Sequence, residues 1–301
     1  MSGGADPWIT VDWGTSALRA TRMDGDRVLE RRETGAGMGG LAADAFEGAL
    51  LSLVDDWLQD GGVAEVLASG MVGARQGWHE APYRAVPCPP LGDDPVVAPV
   101  RDRRLRVRIV PGLAQRRPHP DVMRGEEVQI AGVLARHDGF DGCVCLPGTH
   151  TKWAHVSAGE VVSFRTAMTG EVFALLAERS VLRHSMAGEG WDGAAFDAAL
   201  SDALSRPEIL LARLFQLRAA DLLDGQDPGA ARAVASGLLL GAELASTRPW
   251  WLGRDVVVCG TARTAPPYLR ALGAQGIRTT AVPAEEATLA GLAALHRSVP
   301  A

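Results

Sequence analysis

Trp8-Ile9-Thr10-Val11-Asp12-Trp13-Gly14-Thr15 has a counterpart in Cys143-Val144-Cys145-Leu146-Pro147-Gly148-Thr149. In each, an apolar run with strand character ends in a Gly-Thr turn. A second glycine turn follows eleven residues later, at Gly25 and at Gly159. Gly14 and Gly148 lie 134 positions apart, and so do Gly25 and Gly159. The first copy continues as a strand through Leu18 to Met23, a turn at Asp24-Gly25-Asp26 and a strand from Val28. The second continues as a strand from Trp153, a turn at Ala158-Gly159 and a strand from Val161. A three-strand meander is therefore present twice. Backbone N–H groups at such glycine turns can cradle phosphate oxygens, and two copies can hold one polyphosphate. Asp12 adds to this, because a carboxylate ending an apolar strand needs water, a donor or a metal.

Working outward, Asp44 to Gln59 has helical periodicity, and Val63 to Ala68 reads as a buried strand ending in the loop Ser69-Gly70-Met71-Val72-Gly73-Ala74-Arg75. Residues 81–120 are proline-rich, with short strands near Val96 and Val107 to Val110. Arg101 to Arg108 alternates basic and apolar residues and predicts an exposed strand. Gly125-Glu126-Glu127 opens a helix to about Arg136, and its acidic start suits the helix dipole. In the second half, helices are expected over Glu171 to Arg183, Trp191 to Leu223 and Ala231 to Ser246. A strand at Asp255 to Cys259, a helix at Tyr268 to Leu272, a strand at Ile277 to Val282 and a helix at Glu285 to His296 complete it. The expected fold class is α/β: two domains, each a mixed sheet flanked by helices, with an interdomain cleft. The division falls at 1–140 and 141–301, with the last helix able to pack back on the first domain.

The 301 residues carry a net charge of −6, which gives no electrostatic case for nucleic acid. The apolar stretch Ala231 to Ala245 is short and contains Glu243, so no membrane span is expected. Cys88, Cys143, Cys145 and Cys259 lack C-x-x-C spacing and read as free thiols of a reducing cytoplasm. The N-terminal six residues have neither a basic nor an apolar region of a secretion signal. Of 30 basic residues only Lys152 is lysine, four positions after Gly148. A compact ammonium there suits a point contact with phosphate. Oligomeric state stays open, a homodimer among the options.

The ordered set Asp12-Trp13-Gly14-Thr15, Ala68-Ser69-Gly70-Met71-Val72-Gly73, Met123-Arg124-Gly125-Glu126-Glu127, Leu146-Pro147-Gly148-Thr149-His150-Thr151-Lys152-Trp153, Phe164-Arg165-Thr166 with Thr169-Gly170-Glu171, and Ser236-Gly237-Leu238-Leu239-Leu240-Gly241-Ala242-Glu243 resembles the actin-like (ribonuclease H-like) ATPase superfamily. Within it, the set is most similar to the 2-dehydro-3-deoxygalactonokinases. The resemblance implies transfer of the γ-phosphoryl of ATP to the terminal hydroxyl of a 2-keto-3-deoxy sugar acid in galactonate catabolism. It implies Mg²⁺ on Asp12, phosphates on Gly14-Thr15 and Gly148-Thr149 with His150 orienting the loop, and Lys152 beside them. Glu126 is the implied base, with Glu127 the weaker alternative. Gly73, Arg75, Trp78, Arg165, Thr169 and Glu171 are expected at the sugar acid, and Gly241, Gly260 and Thr261 at the adenosine. A kinase for another 2-keto-3-deoxy acid, a polyphosphate hydrolase and a nucleotide-dependent regulatory protein are the alternatives.

Overall fold

The duplicated meanders fold into two sheets of matching topology. In the computed structural model, which describes residues 7–92 and 94–299, β1 (Trp8–Trp13), β2 (Leu18–Asp24) and β3 (Arg27–Thr34) form the first meander. Helix α1 (Phe46–Val54), β4 (Ala64–Gly70), β5 (Arg84–Ala85), β6 (Val96–Val97), β7 (Leu105–Ile109), β8 (Leu113–Gln115), β9 (Asp121–Met123) and helix α2 (Glu126–Leu134) follow. The second meander is β10 (Gly142–Leu146), β11 (Thr151–Ser157) and β12 (Glu160–Ala167). After it come α3 (Thr169–Glu178), α4 (Gly193–Ser205), α5 (Leu210–Asp224), α6 (Pro228–Ser246), α7 (Arg248–Trp251), β13 (Val256–Gly260), α8 (Ala265–Ala274), β14 (Thr279–Pro283) and α9 (Ala284–Ser298). Residues 1–6, on which the expectation of no secretion signal rests, lie outside the described residues.

One sheet has the order β3-β2-β1-β4-β7-β6 and the other β12-β11-β10-β13-β14. In both, the first meander strand pairs in parallel with a strand reached by a helical crossover, β1 with β4 and β10 with β13. β1, β10 and β13 are continuous apolar runs because both of their faces are covered. β3 lies at a sheet edge and carries Arg27, Glu30, Arg31, Arg32 and Glu33, charges that discourage edge-to-edge pairing. β5, β8 and β9 make a separate small sheet.

Three expectations shift. The single helix over Trp191 to Leu223 is two helices, because Pro207 lacks an N–H and Arg206 before it takes φ −141°, ψ 71°. The helix from Glu171 ends at Glu178 and is followed by a 3₁₀ turn at Val181–Arg183, which Ser180 caps. The Arg101 to Arg108 run is an interior strand, β7, flanked by β4 and β6 with Leu105, Val107 and Ile109 buried.

The chain divides into two compact units. The first runs to Phe140, takes in Val156–Ser163 and resumes at Pro283; the second comprises Asp141–His155 and Phe164–Val282. In the first unit, Trp13, Phe46, Leu50, Val66 and Val107 centre the core, and α9 packs on α2. The tip of the β11–β12 hairpin belongs here, with Val161 exchanging backbone hydrogen bonds with Cys88 at 2.9 and 3.3 Å. In the second unit, Cys143, Cys145, Trp153, Trp251 and Val258 lie under α4, α6 and α8. All four cysteines are free, and Cys143, Cys145 and Cys259 are buried. Among the described residues no helix is long and apolar enough to cross a membrane.

Candidate active site

The second unit presents the loop Gly148-Thr149-His150 between β10 and β11, and the first turn of α3 holds it from behind. Glu171 N–H donates to Thr149 O at 2.9 Å, and the Glu171 carboxylate meets His150 Nε2 at 2.6 Å. Gly170 lies against the loop so closely that a Cβ there would be 2.2 Å from Gly148 O. The first unit repeats the device. A Cβ at Gly37 would lie 2.3 Å from Thr15 O, while Met38 N and Gly39 N donate to Gly14 O and Thr15 O at 3.0 and 2.9 Å. Each phosphate-type loop is thus held by a glycine whose missing side chain lets another segment reach its carbonyls.

Beside the second loop opens a cavity of about 1220 Å³, lined among others by Gly148, Thr149, Thr169, Gly170, Ser236 and Thr261. That exceeds the roughly 300–1,000 Å³ of ordinary small-ligand pockets and leaves room for a whole nucleotide. The first residues of α3, Thr169 and Gly170, line it, so the N–H groups at that helix N-terminus favour an anion there, whereas α8 turns Pro266 and Pro267, which have no N–H, to the wall. Arg232, Arg263 and Arg270 add positive charge to the wall. Arg270 is engaged by Asp197 at 2.6 Å, and the Arg232 guanidinium lies 5.3 Å from the centre of the Phe173 ring.

Beneath the loop is a buried polar network. The Glu243 carboxylate on α6 accepts from Trp153 Nε1 at 2.7 Å and from the Tyr268 hydroxyl at 3.0 Å, and it also bonds the Thr169 side chain. Tyr268 continues to Thr151 at 2.7 Å. Burial raises the Glu243 pKa, and the three donors work against that rise. One carboxylate therefore ties α6 to β11, α8 and the start of α3.

In the first unit, the Asp12 carboxylate and the backbone at the start of α2 both come up to Gly70. Asp12 on β1 pairs in register with Ser69 on β4, and a Cβ on Gly70 would lie 3.6 Å from Asp12 Oδ1. Gly70 has φ +91°, a conformation that suits glycine. A Cβ on Gly125 would be 3.4 Å from Gly70 Cα, which brings the start of α2 to the same place. Desolvation raises the Asp12 pKa, offset by Arg19, whose Nη1 is 3.5 Å away. The two glutamates of α2 differ sharply. Glu127 is 0% exposed, both its oxygens accept from Gly125 N at 2.9 and 2.8 Å, and burial pushes it up to about 8. Glu126 is half-buried, with Oε2 accepting from Arg124 N at 3.0 Å.

Other expected residues are distributed as follows. Gly148, Thr149, Thr169 and Thr261 line the cavity; Gly260 lies behind Thr264. Gly241 does not line it: a Cβ there would be 2.5 Å from Leu200 O, so this glycine allows α6 to cross α4. Thr169 and Glu171, expected at the sugar, are bonded to Glu243 and to the loop. Lys152 is buried on β11, with Nζ donating to Thr166 Oγ1 at 3.0 Å, on the opposite strand face from Thr151 and Trp153. Arg165 stacks 5.0 Å over Trp250. Arg75 points outward with an 82% exposed side chain. Trp78 packs on Trp13 and Phe46. Gly73 leaves room for Arg124, whose Nη1 would be 2.8 Å from a Cβ there.

Arg124 is the residue that sequence reading passed over. Its Nη2 donates to Ala81 O at 2.7 Å and its guanidinium lies 4.4 Å from the Tyr83 ring centre, while buried Nε and Nη1 have no hydrogen-bond partner. Its place two positions before Glu126 was the available signal. Arg232 and Ser236, one turn apart on α6, were likewise visible only as helix residues.

The topology and the paired loops define an actin-like sugar kinase. Lactobacillus acidophilus xylulose kinase shares the fold at a TM-score of 0.52 and 10% identity, over 97% of this chain and 89% of that one. A Sinorhizobium meliloti crystal structure described as of the 2-dehydro-3-deoxygalactonokinase type matches at a TM-score of 0.90 and 37% identity, over 97% and 98% of the two chains. Residues 12–295 match the model of the 2-keto-3-deoxy-galactonokinase family. The chain belongs to that family and is an ATP-dependent phosphotransferase with an alcohol acceptor. It is 39% identical over 307 residues to a Rhizobium meliloti (strain 1021) protein designated a probable 2-dehydro-3-deoxygalactonokinase, covering 97% of each. It is 35% identical over 297 residues to the Escherichia coli (strain K12) 2-dehydro-3-deoxygalactonokinase, covering 97% of this chain and 98% of that one.

Proposed function

We propose that the chain phosphorylates the terminal hydroxyl of 2-dehydro-3-deoxy-D-galactonate with ATP, and that Glu126 accepts the hydroxyl proton. The observation that carries this reading is the contrast between the paired glutamates. Glu127 is sealed and pinned to Gly125, whereas Glu126 is only half-buried, on the helix start whose Gly125 backbone abuts Gly70. The hydroxyl oxygen attacks the γ-phosphorus, the bond to the β-phosphate oxygen breaks, ADP leaves and the proton passes to Glu126. The Gly148-Thr149 turn, the α3 N-terminus and Arg263 are the proposed polyphosphate contacts, with Gly14-Thr15 as the second turn. The adenosine falls to the cavity wall around Ser236, Leu239 and Thr261.

Mg²⁺ is assigned to Asp12. Among the described residues no cluster of three or more His, Cys, Asp or Glu forms a cage, but magnesium usually takes one or two carboxylates and keeps its waters, so Asp12 fits. Bound there, the ion would neutralise phosphate charge. The sugar-acid carboxylate is assigned to Arg124, whose Nε and Nη1 lack partners, in preference to the outward Arg75. The free cysteines support a reducing, cytoplasmic setting.

The test is ADP formation from Mg-ATP with 2-keto-3-deoxygalactonate, 2-keto-3-deoxygluconate, a neutral hexose or no acceptor. Turnover with the galactonate derivative supports the reading. Glu126→Gln should lower kcat by about 10²–10⁴-fold with ADP affinity intact, and Arg124→Lys should raise KM for the acid. Wild-type turnover by Glu126→Gln would remove the base assignment. Preference for the gluconate epimer would move the substrate, and acceptor-independent phosphate release would replace the kinase with a hydrolase.

A further inference from the structure

Helix α5 is apolar on two faces, and the unit it belongs to uses only one of them. Leu214 and Leu217, with Leu210 beside them, pack into the cluster formed with Leu182, Met186, Ala203 and Leu238. On the other side Leu211, Phe215, Leu222 and Leu223 remain 81%, 65%, 66% and 82% exposed. At about 100° per residue these four, together with Ala212 and Ala219, fall within one arc of roughly 120°, and Gln216 sits at its border. The charged side chains of the helix are taken up elsewhere. Arg213 pairs with Asp202 at 3.3 Å, and Arg218 pairs with Asp221, which Ser185 also bonds, at 2.8 Å each. A helix surface this apolar is ordinarily covered.

The order of residues on that arc says by what. About Leu217 the apolar positions are palindromic: Leu211 and Leu223 are equidistant from it, as are Ala212 and Leu222, and Phe215 and Ala219. An antiparallel copy of the same helix therefore sets each large residue level with a small one in two of the three pairs, and leucine with leucine in the third. This is the i-to-j, j-to-i reciprocity of an isologous two-fold contact. Arg213, Asp221 and Asp224 project from the opposite side of the helix, so no charge lies within the apolar arc. The exposed apolar side chains offer on the order of 500 Å² per copy, so two copies reach the roughly 1,000 Å² that a specific interface needs.

We propose that the exposed face of α5 is the two-fold interface of a homodimer, packed antiparallel against α5 of a second copy. Phe215 then lies on the same flank as its own counterpart, about 6 Å away along the helix axis.

Sedimentation velocity on the full chain tests this. The wild type should sediment at twice the 31.7 kDa chain mass, and Phe215→Glu and Phe215→Lys should each sediment as folded monomers. Mixing the two variants should restore the dimer, because opposite charges then meet across the two-fold. Leu223→Lys, at a still more exposed position, provides a second monomerising change should Phe215 variants fold poorly. A monomeric wild type, a dimer that survives both Phe215→Glu and Leu223→Lys, or a mixture that stays monomeric would each overturn the proposal.

Discussion

Gly170→Ala tests whether the start of α3 sets the geometry of the second phosphate loop. The added Cβ would stand 2.2 Å from Gly148 O and 3.0 Å from both Gly148 C and Thr149 Cα. A relaxed carbon-to-carbonyl-oxygen contact is about 3.3 Å, so either the loop or the helix must move by about 1 Å. The obstacle is backbone, which has no rotamer to turn aside. Overpacking of this kind costs about 1–3 kcal/mol of stability, and a 1 Å misplacement of a positioning group costs on the order of 10²-fold in rate. The expected result is a kcat/KM for ATP lowered by about 10²-fold, with ADP protecting the variant less against thermal unfolding. Gly273→Ala is the control. Gly273 is a helical glycine of the same unit with nothing within 4 Å of an added Cβ, and its replacement should stabilise by about 0.5–1 kcal/mol without touching turnover. Wild-type kcat/KM for ATP in Gly170→Ala would refute the argument that this contact positions the loop.

Two further perturbations read other parts of the site. Burial, aided by the neighbouring Glu126, pushes Glu127 from 4.5 up to about 8, so between those pH values the folded chain holds a proton that the unfolded chain has lost. Stability should therefore fall by about 1.4 kcal/mol per pH unit through that window and level off above it; Glu127→Gln should remove this slope in denaturant titrations at pH 5.5 and 8, and an unchanged slope would count against it. Glu243→Gln replaces an acceptor of three donors by an amide that turns its NH₂ toward some of them, which should cost about 1–3 kcal/mol. Trp153 emission should shift and KM for ATP should rise more than kcat falls; a variant unchanged in both emission and KM would show that the network does not support the loop.

The sequence reading was most successful where information is local. The 134-residue repeat, the strands of both meanders, the glycine turns and the acidic start of α2 all depend on side-chain alternation and turn chemistry within a few residues. Pro207 was equally local, yet the apolar periodicity on both sides of it outweighed the break in the reading of one long helix. The family was legible because its motifs occur in order along nearly the whole chain. Residue roles were less so. Gly241 belongs to a motif that suggests a ligand, but α4, whose Leu200 O presses on it, decides its place. Glu171 suits a sugar hydroxyl by type, yet its partner is His150, twenty-one positions earlier.

By itself the sequence determined the duplicated α/β architecture and the two Gly-Thr loops, because strand period and turn preference are properties of neighbouring residues. Tertiary structure alone decided which of two adjacent glutamates is reachable, since Glu126 and Glu127 differ in chain position by one residue and in surroundings by a turn of about 100°. It alone brought Glu243 to Trp153, 90 positions away, and to Tyr268, 25 positions away. It alone left one apolar face of α5 uncovered while burying the other. Burial and hydrogen-bond partnership depend on what distant segments place beside a residue, and that is known only once the chain has packed.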